Sequence, residues 1–301
     1  MALSKEYREL VAVLEPGLAD PADSVARVRE KMAPLHGHPV GEDMVVEGLD
    51  LLGVPAAKVG GAQAHAAPSI VLQFHGGAFV SCDLSDYLFY GEKISRACGL
   101  PVVEIGYRLA PEYPCPAAVR DCAQAYRGLL EHGHEPSQIA LVGDSCGGGM
   151  VIAALTLLRD EGVPLPACAA TLCGWFDLEA SGESAVNPQG IDPFLDADWL
   201  RARGRDYVGA DGDLRSPLAS PLHADLAGLP PLLLQAGTID RTRDDSVRLA
   251  ARAEAAGVQV ELDVVDGMIH GWHGLPVPEA DAALARLAAF FSRFLGAAAS
   301  D

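Results

Sequence analysis

Between residues 69 and 174 the chain repeats one alternation: a short, compact apolar run, then a longer segment whose apolar positions recur at helical spacing. SIVLQF, PVVEIGY, QIALVG and ACAATLCG are too short for helices and rich in β-branched side chains, which predicts strands buried on both faces. DYLFYGEKISRACG, the segment Ala117 to His132 and MVIAALTLLRDEG lie between them with helical periodicity; in the second, Val119, Ala123, Tyr126, Leu129 and Leu130 share one face. Strands alternating with helices through short turns predict an α/β protein with a mostly parallel central sheet and helices on both faces. Ahead of this core, KEYRELVAVL and PADSVARVREKM predict two short helices. VVEGLDLLG and VPAAKV, parted at Gly53, predict paired strands near a sheet edge.

After ACAATLCG the rhythm breaks. From Trp175 to His223 no continuous strand pattern is present, and prolines, glycines and aspartates are frequent, so this stretch reads as an insertion of helices and loops. The alternation returns with PPLLLQAG, DDSVRLAARAEAAG, VQVELDVV and PEADAALARLAAFFSRFL, followed by an alanine-rich tail. The expected organisation is an N-terminal helical segment over residues 1–40, a core in two parts over 41–176 and 224–301, and the insertion over 177–223.

Composition narrows the partners. Half of the 301 residues are hydrophobic, enough for a sizeable core, and 41 acidic against 22 basic residues give a formal net charge of −19. That field and the absence of a basic patch argue against a nucleic-acid partner. No apolar run is long enough to span a membrane and MALSKEYREL lacks the apolar stretch of a signal peptide, so a cytoplasmic protein is expected. Seven cysteines, an odd number without a CxxC pair, signal neither a disulfide framework nor a thiolate zinc site.

The candidate chemistry centres on LVGDSCGGGM. Gly143 and Gly147 flank Ser145 in the G-x-S-x-G spacing of a nucleophile elbow, where a strand turns sharply into a helix and exposes the serine above the sheet. A phosphate loop would need a lysine before its Ser or Thr, and a dinucleotide site would need G-x-G-x-x-G; neither is present. HGGAF, His75 to Phe79, ends another strand, where a glycine run exposes backbone N–H groups to a developing anion. A serine needs a base and an orienting acid, in an elbow fold in the order Ser, Asp or Glu, His. Asp240 follows PPLLLQAG and His270 follows VELDVV, so both meet that order; Asp244, Asp245, Glu104, Asp144 and His273 are the rivals. His36, His38, His132 and His134 form no convincing ligand set, so no metal is expected.

With these pieces in order, the chain resembles the hormone-sensitive lipase family of α/β-hydrolases, bacterial carboxylesterases with a GDSAG-type elbow. The matching stretches are HGGAF, YRLAPEYPCPAA at Tyr107 to Ala118, GDSCGG at Gly143 to Gly148, WFDL at Trp175 to Leu178, DRTRDD at Asp240 to Asp245 and GMIHGW at Gly267 to Trp272. The resemblance implies an α/β-hydrolase fold with a helical cap, a triad of Ser145, Asp240 and His270, and an oxyanion hole from the N–H groups of Gly76, Gly77 and Cys146. It also implies that His75 organises the oxyanion loop, that Tyr107 to Glu112 brace the floor, and that Asp177 is a structural acid. The side chain of Cys146, where alanine is usual, is taken as incidental, and DRTRD replaces the usual DPLRD. The expected reaction is hydrolysis of short- to medium-chain or small hydrophobic carboxylic esters through an acyl-enzyme, without cofactor. A lactone hydrolase is the alternative, then an amidase or peptidase, and, outside enzymes, a small-molecule receptor on the same fold. Met32, Leu35, Phe79, Phe194, Leu195 and Trp199 are the candidate substrate pocket, and the resemblance also allows a homodimer.

Overall fold

A computed structural model describes residues 3–14, 19–188, 190 and 192–296; the alanine-rich tail lies outside them. The core is one sheet of eight strands: β1 (Met44–Leu51), β2 (Val54–Gly61), β3 (Ile70–Phe74), β4 (Val102–Ile105), β5 (Ile139–Asp144), β6 (Cys168–Leu172), β7 (Leu232–Gly237) and β8 (Val260–Val265). Their spatial order is β1-β2-β4-β3-β5-β6-β7-β8. From β4 to β8 all neighbours are parallel, whereas β1 and β2 run antiparallel to each other and β2 antiparallel to β4. The expected paired strands therefore form the sheet edge. Their two-residue turn puts Leu52 and Gly53 at positive φ, and the Gly53 N–H donates to Asp50 Oδ1 at 2.7 Å.

The helices are α1 (Lys5–Val13), α2 (Val25–Met32), α3 (Ala62–His65), α4 (Leu84–Cys98), α5 (Ala117–Glu131), α6 (Cys146–Asp160), α7 (Glu183–Val186), α8 (Ala197–Val208), α9 (Arg243–Ala255) and α10 (Pro278–Phe294). The one-turn helices α3 and α7 are additions to the elements expected from periodicity, being too short to show any. Alternation along the strands sorts the rest. Leu72, Phe74, Leu141 and Leu234 share a cluster with Val119 and Leu129 of α5, Ile152 and Leu155 of α6 and Leu249 of α9. Val71, Val142 and Leu233 face the other way, onto Tyr87 and Ile94 of α4 and Leu284, Leu287 and Phe290 of α10. A side chain's parity on its strand thus decides which helical layer it meets.

The irregular segments meet above the strand C-termini. α2 contributes Val28, and α8 contributes Trp199 and Leu200, to one cluster, and Arg203 of α8 donates to Asp23 O ahead of α2 at 3.0 Å. α1 is fastened separately: the Tyr7 hydroxyl donates to Gly267 O at 2.9 Å and accepts from the Ile269 N–H at 3.1 Å. Among the described residues no helix is long and apolar enough to cross a membrane, and all seven cysteines are free.

Candidate active site

Ser145 stands between β5 and α6 with φ 54° and ψ −123°, a left-handed conformation that costs a residue with a Cβ about 1–3 kcal/mol. Its surroundings hold it there. The Ser145 N–H donates to Leu172 O at 2.9 Å, and Ser145 O accepts from Gly148 N–H at 3.0 Å and Trp175 N–H at 2.9 Å. The glycines of the elbow are needed for clearance: a Cβ on Gly147 would lie 2.0 Å from Phe74 O, and one on Gly143 would lie 2.3 Å from Gly147 O.

The three residues expected from chain order come together. His270 Nε2 is 2.9 Å from Ser145 Oγ, and His270 Nδ1 is 2.9 Å from Asp240 Oδ1. The charge on Asp240 sets the tautomer: Nδ1–H donates to the carboxylate, leaving Nε2 to accept the serine proton. Burial opposes protonation of His270, but Asp240, and beyond it Asp192 and Asp144, outweigh it and raise its pKa above the ordinary imidazole value. Oδ1 of Asp240 also accepts the Thr242 N–H at 2.8 Å and the Thr242 hydroxyl at 2.9 Å. The threonine that departs from the usual motif therefore supplies a further donor to the carboxylate. His273 is elsewhere, buried with Nε2 3.2 Å from Gln235 Oε1, its pKa held low first by burial. Asp245 receives the Phe176 and Asp177 N–H groups and an Arg248 bond, so this rival is engaged away from His270.

The loop expected to form the oxyanion hole, with Gly76 and Gly77, lies beside the serine. Gly77, with φ 106°, and Ala78 line the cavity beside Ser145. Gly76 packs on Asp144, where a Cβ would lie 2.4 Å from Oδ2. Among the described residues, the N–H groups of Gly77 and Cys146 meet no hydrogen-bond acceptor. His75 is fully buried, stacked on Tyr107 at 4.0 Å, with Nδ1 2.9 Å from its hydroxyl, and burial pushes its pKa down to about 4. It is a neutral brace beneath the loop. Cys146 Sγ accepts the Phe79 N–H at 3.2 Å, so its side chain carries part of the loop's support. Asp177 accepts from Ser181 and Arg248, which overcome burial and lower its pKa.

Above the serine lies a cavity of about 310 Å³. Met32, Leu35, Phe194, Leu195 and Trp199 line it as expected; Phe79 does not. At φ 66° the Phe79 ring is turned into the core, stacked on Tyr207 at 3.7 Å. Sequence reasoning missed Asp192, whose Oδ2 accepts the His270 N–H at 3.3 Å and the Arg241 N–H at 3.4 Å; burial and the nearby Asp240 raise its pKa to about 6. Nothing in DPFLD distinguishes it from a loop aspartate. Two groups of side chains converge within 4.8 Å as an ion's ligands would: Cys173, Asp240 and His270, and Asp177, Glu179 and His223. The first shares the relay's acid and base, with a thiol that burial keeps protonated, and in the second Asp177 is held by Arg248.

Comparison with known proteins agrees with this geometry. A family profile described as alpha/beta hydrolase fold matches residues 71–274. An acetyl-hydrolase of Streptomyces hygroscopicus is 41% identical over 203 residues, 67% of this chain and 68% of that protein. An esterase of Acinetobacter venetianus is 32% identical over 229 residues, 74% of this chain and 75% of its own length. Among solved structures, an esterase from the bacterial hormone-sensitive lipase family superposes with a TM-score of 0.92 at 40% identity, covering 98% of this chain and 100% of that one.

Proposed function

Since the chain belongs to the hormone-sensitive lipase family of α/β-hydrolases and is a serine ester hydrolase, we propose that Ser145 is its nucleophile, His270 its general base and acid, and Asp240 the group that orients the imidazole. The observation that carries this reading is the continuous relay from Asp240 Oδ1 through both nitrogens of His270 to Ser145 Oγ, each step 2.9 Å, on the floor of a cavity lined mostly by apolar side chains. Ser145 Oγ attacks the ester carbonyl while its proton passes to Nε2. The carbonyl oxygen, now negative, takes hydrogen bonds from the free N–H groups of Gly77 and Cys146, with the Ala78 amide beside them. His270 then protonates the departing alkoxide, and a water deprotonated by the same nitrogen releases the acid.

The substrate is small. A cavity near 150 Å³ holds one benzene, so 310 Å³ holds on the order of a dozen non-hydrogen atoms. That volume supports short- to medium-chain acyl groups on small alcohols. The helices of residues 1–40 and the insertion over 177–223 form the cap, supplying Met32 from one side and Phe194, Leu195 and Trp199 from the other. The test is turnover of esters of increasing acyl length, lactones and aryl amides by wild type and Ser145→Ala. We expect short esters to lead the panel and Ser145→Ala to be inactive; wild-type-like turnover by that variant overturns the assignment.

A further inference from the structure

The cavity is lined by aliphatic and aromatic side chains alike: Val28, Met32 and Leu195 are aliphatic, and Trp175, Phe194 and Trp199 are aromatic. Five further rings of the lining form one cluster: Tyr87, Phe89 and Tyr90 from α4, and His36 and His38 from the loop after α2. The three α4 rings stand 5.7 to 6.3 Å apart, Phe89 and Tyr90 edge to face at 85°. His36 stacks on Tyr87 at 5.1 Å with an 18° tilt, and His38 meets Phe89 edge-on at 5.1 Å. This wall adjoins the chemistry, because the Tyr87 hydroxyl donates to Oδ2 of Asp144, the residue before the nucleophile, at 2.9 Å.

Core packing accounts for Tyr87 and Tyr90, which are buried against the sheet. Phe89 packs on the same core from its edge, but core packing does not account for His36, which is half-buried, or His38, which is exposed; their ring partners are Tyr87 and Phe89 of this same wall. His36 behaves as an aromatic surface and not as a charge: its Nδ1–H donates to Met32 O at 3.0 Å, and burial lowers its pKa. A stack of ring faces and edges rewards an aromatic guest over an aliphatic one of equal size, because ring quadrupoles complement one another beyond the area buried.

We propose that this ring cluster is a subsite for an aromatic ring, so that the preferred substrates are small esters carrying one aryl group. The inference rests on the esterase reading of Ser145. The volume agrees: one ring takes about half of the 310 Å³, leaving room for a remainder of a few carbons.

The test uses matched pairs whose leaving groups have similar basicity, so that intrinsic reactivity does not imitate recognition. Benzyl acetate against cyclohexylmethyl acetate places the ring on the alcohol, and methyl phenylacetate against methyl cyclohexylacetate places it on the acid. We expect the aryl member to lead in kcat/KM by about three- to tenfold in one series, and which series leads identifies the side on which the ring sits. Benzyl alcohol should also inhibit wild type more tightly than cyclohexylmethanol by a similar factor, a measurement that needs no variant. Phe89→Leu should bring the aryl-to-cycloalkyl ratio toward one, while Met32→Leu, which exchanges one aliphatic side chain of the wall for another, leaves that ratio in place. Ratios near one in both series, or a preference that Phe89→Leu does not diminish, overturn the subsite while leaving the esterase reading intact. If wild type hydrolyses none of the four esters or the short esters of the wider panel, the esterase reading itself fails.

Discussion

Replacing Cys146 by alanine separates two adjacent candidates for the reactive atom. The thiol is fully buried and burial pushes its pKa up to about 12, so at pH 8 only roughly one molecule in ten thousand carries the thiolate. Its role is mechanical: Sγ accepts the Phe79 N–H at 3.2 Å and lies 3.9 Å from His75 O, bridging the helix start to the oxyanion loop. Cys146→Ala leaves a buried amide unpaired, at a cost of about 1–3 kcal/mol, and lowers the melting temperature by roughly 2–10 °C. The Cys146 N–H belongs to the backbone and survives, so kcat should fall no more than about tenfold, with KM little changed. Cys146→Ser, which retains an acceptor, should recover part of the lost stability. Ser145→Ala should lose about 10⁴-fold or more of kcat. Calorimetry and steady-state kinetics on the three variants decide the matter. A folded Cys146→Ala protein devoid of activity, or native wild type inactivated by iodoacetamide with the label on Cys146, refutes this reasoning.

Other expectations follow from the same geometry. His270 must be neutral to accept the serine proton and its pKa is raised, so kcat/KM should climb with pH through a midpoint above the ordinary imidazole value; Asp192→Asn removes one of the acids responsible and should move that limb to lower pH. A limb that stays in place under Asp192→Asn contradicts the electrostatic account. Burial and Asp177 raise the Asp245 pKa to about 7 in the folded state, above its value in the unfolded chain, so the native protein holds that proton across the interval. Its contribution to stability is therefore lost as pH rises from about 4 through about 7. Asp245→Asn does not titrate, so its melting temperature relative to wild type should improve with pH over that window; a constant or falling difference counts against the assignment. Gly147→Ala drives a Cβ to 2.0 Å from Phe74 O, between backbones that have no room to part, and should cost about 3 kcal/mol or more together with most activity, read by thermal melting and ester turnover.

The strands were legible because parallel strands covered on both faces are nearly continuous in apolar residues, as IVLQF and VVEI are apart from Gln73 and Glu104, and the elbow because few contexts place glycines two residues on either side of a serine. Chain order then sufficed to find Asp240 and His270. What escaped is set by backbone direction and distant packing. Phe79 is an apolar residue in an oxyanion loop, and only its φ of 66° reveals that it turns toward Tyr207 and away from substrate. Gly76 and Gly77 read alike in HGGAF, yet Gly76 packs on the Asp144 carboxylate while Gly77, at φ 106°, lines the cavity. Asp192 sits in the irregular insertion, where no periodicity marks a position, and reaches His270 across 78 residues of chain. Tyr87, Phe89 and Tyr90 read as an ordinary helical segment, since their joint use as a wall depends on where the loop carrying His36 and His38 comes to rest.

The fastening of α1 bears on how this protein can be engineered. Tyr7 grips the Gly267 carbonyl and the Ile269 amide, and Ser4 donates through both its amide and its hydroxyl to Glu279 at the start of α10, so the first helix is bolted to the segment that presents His270. Trimming that helix, or pulling on it with a bulky fusion partner, would detune proton transfer without touching a catalytic residue. Immobilisation chemistry and affinity handles belong on other surfaces, and libraries meant to widen the pocket should hold Ser4 and Tyr7 constant while they vary the cap.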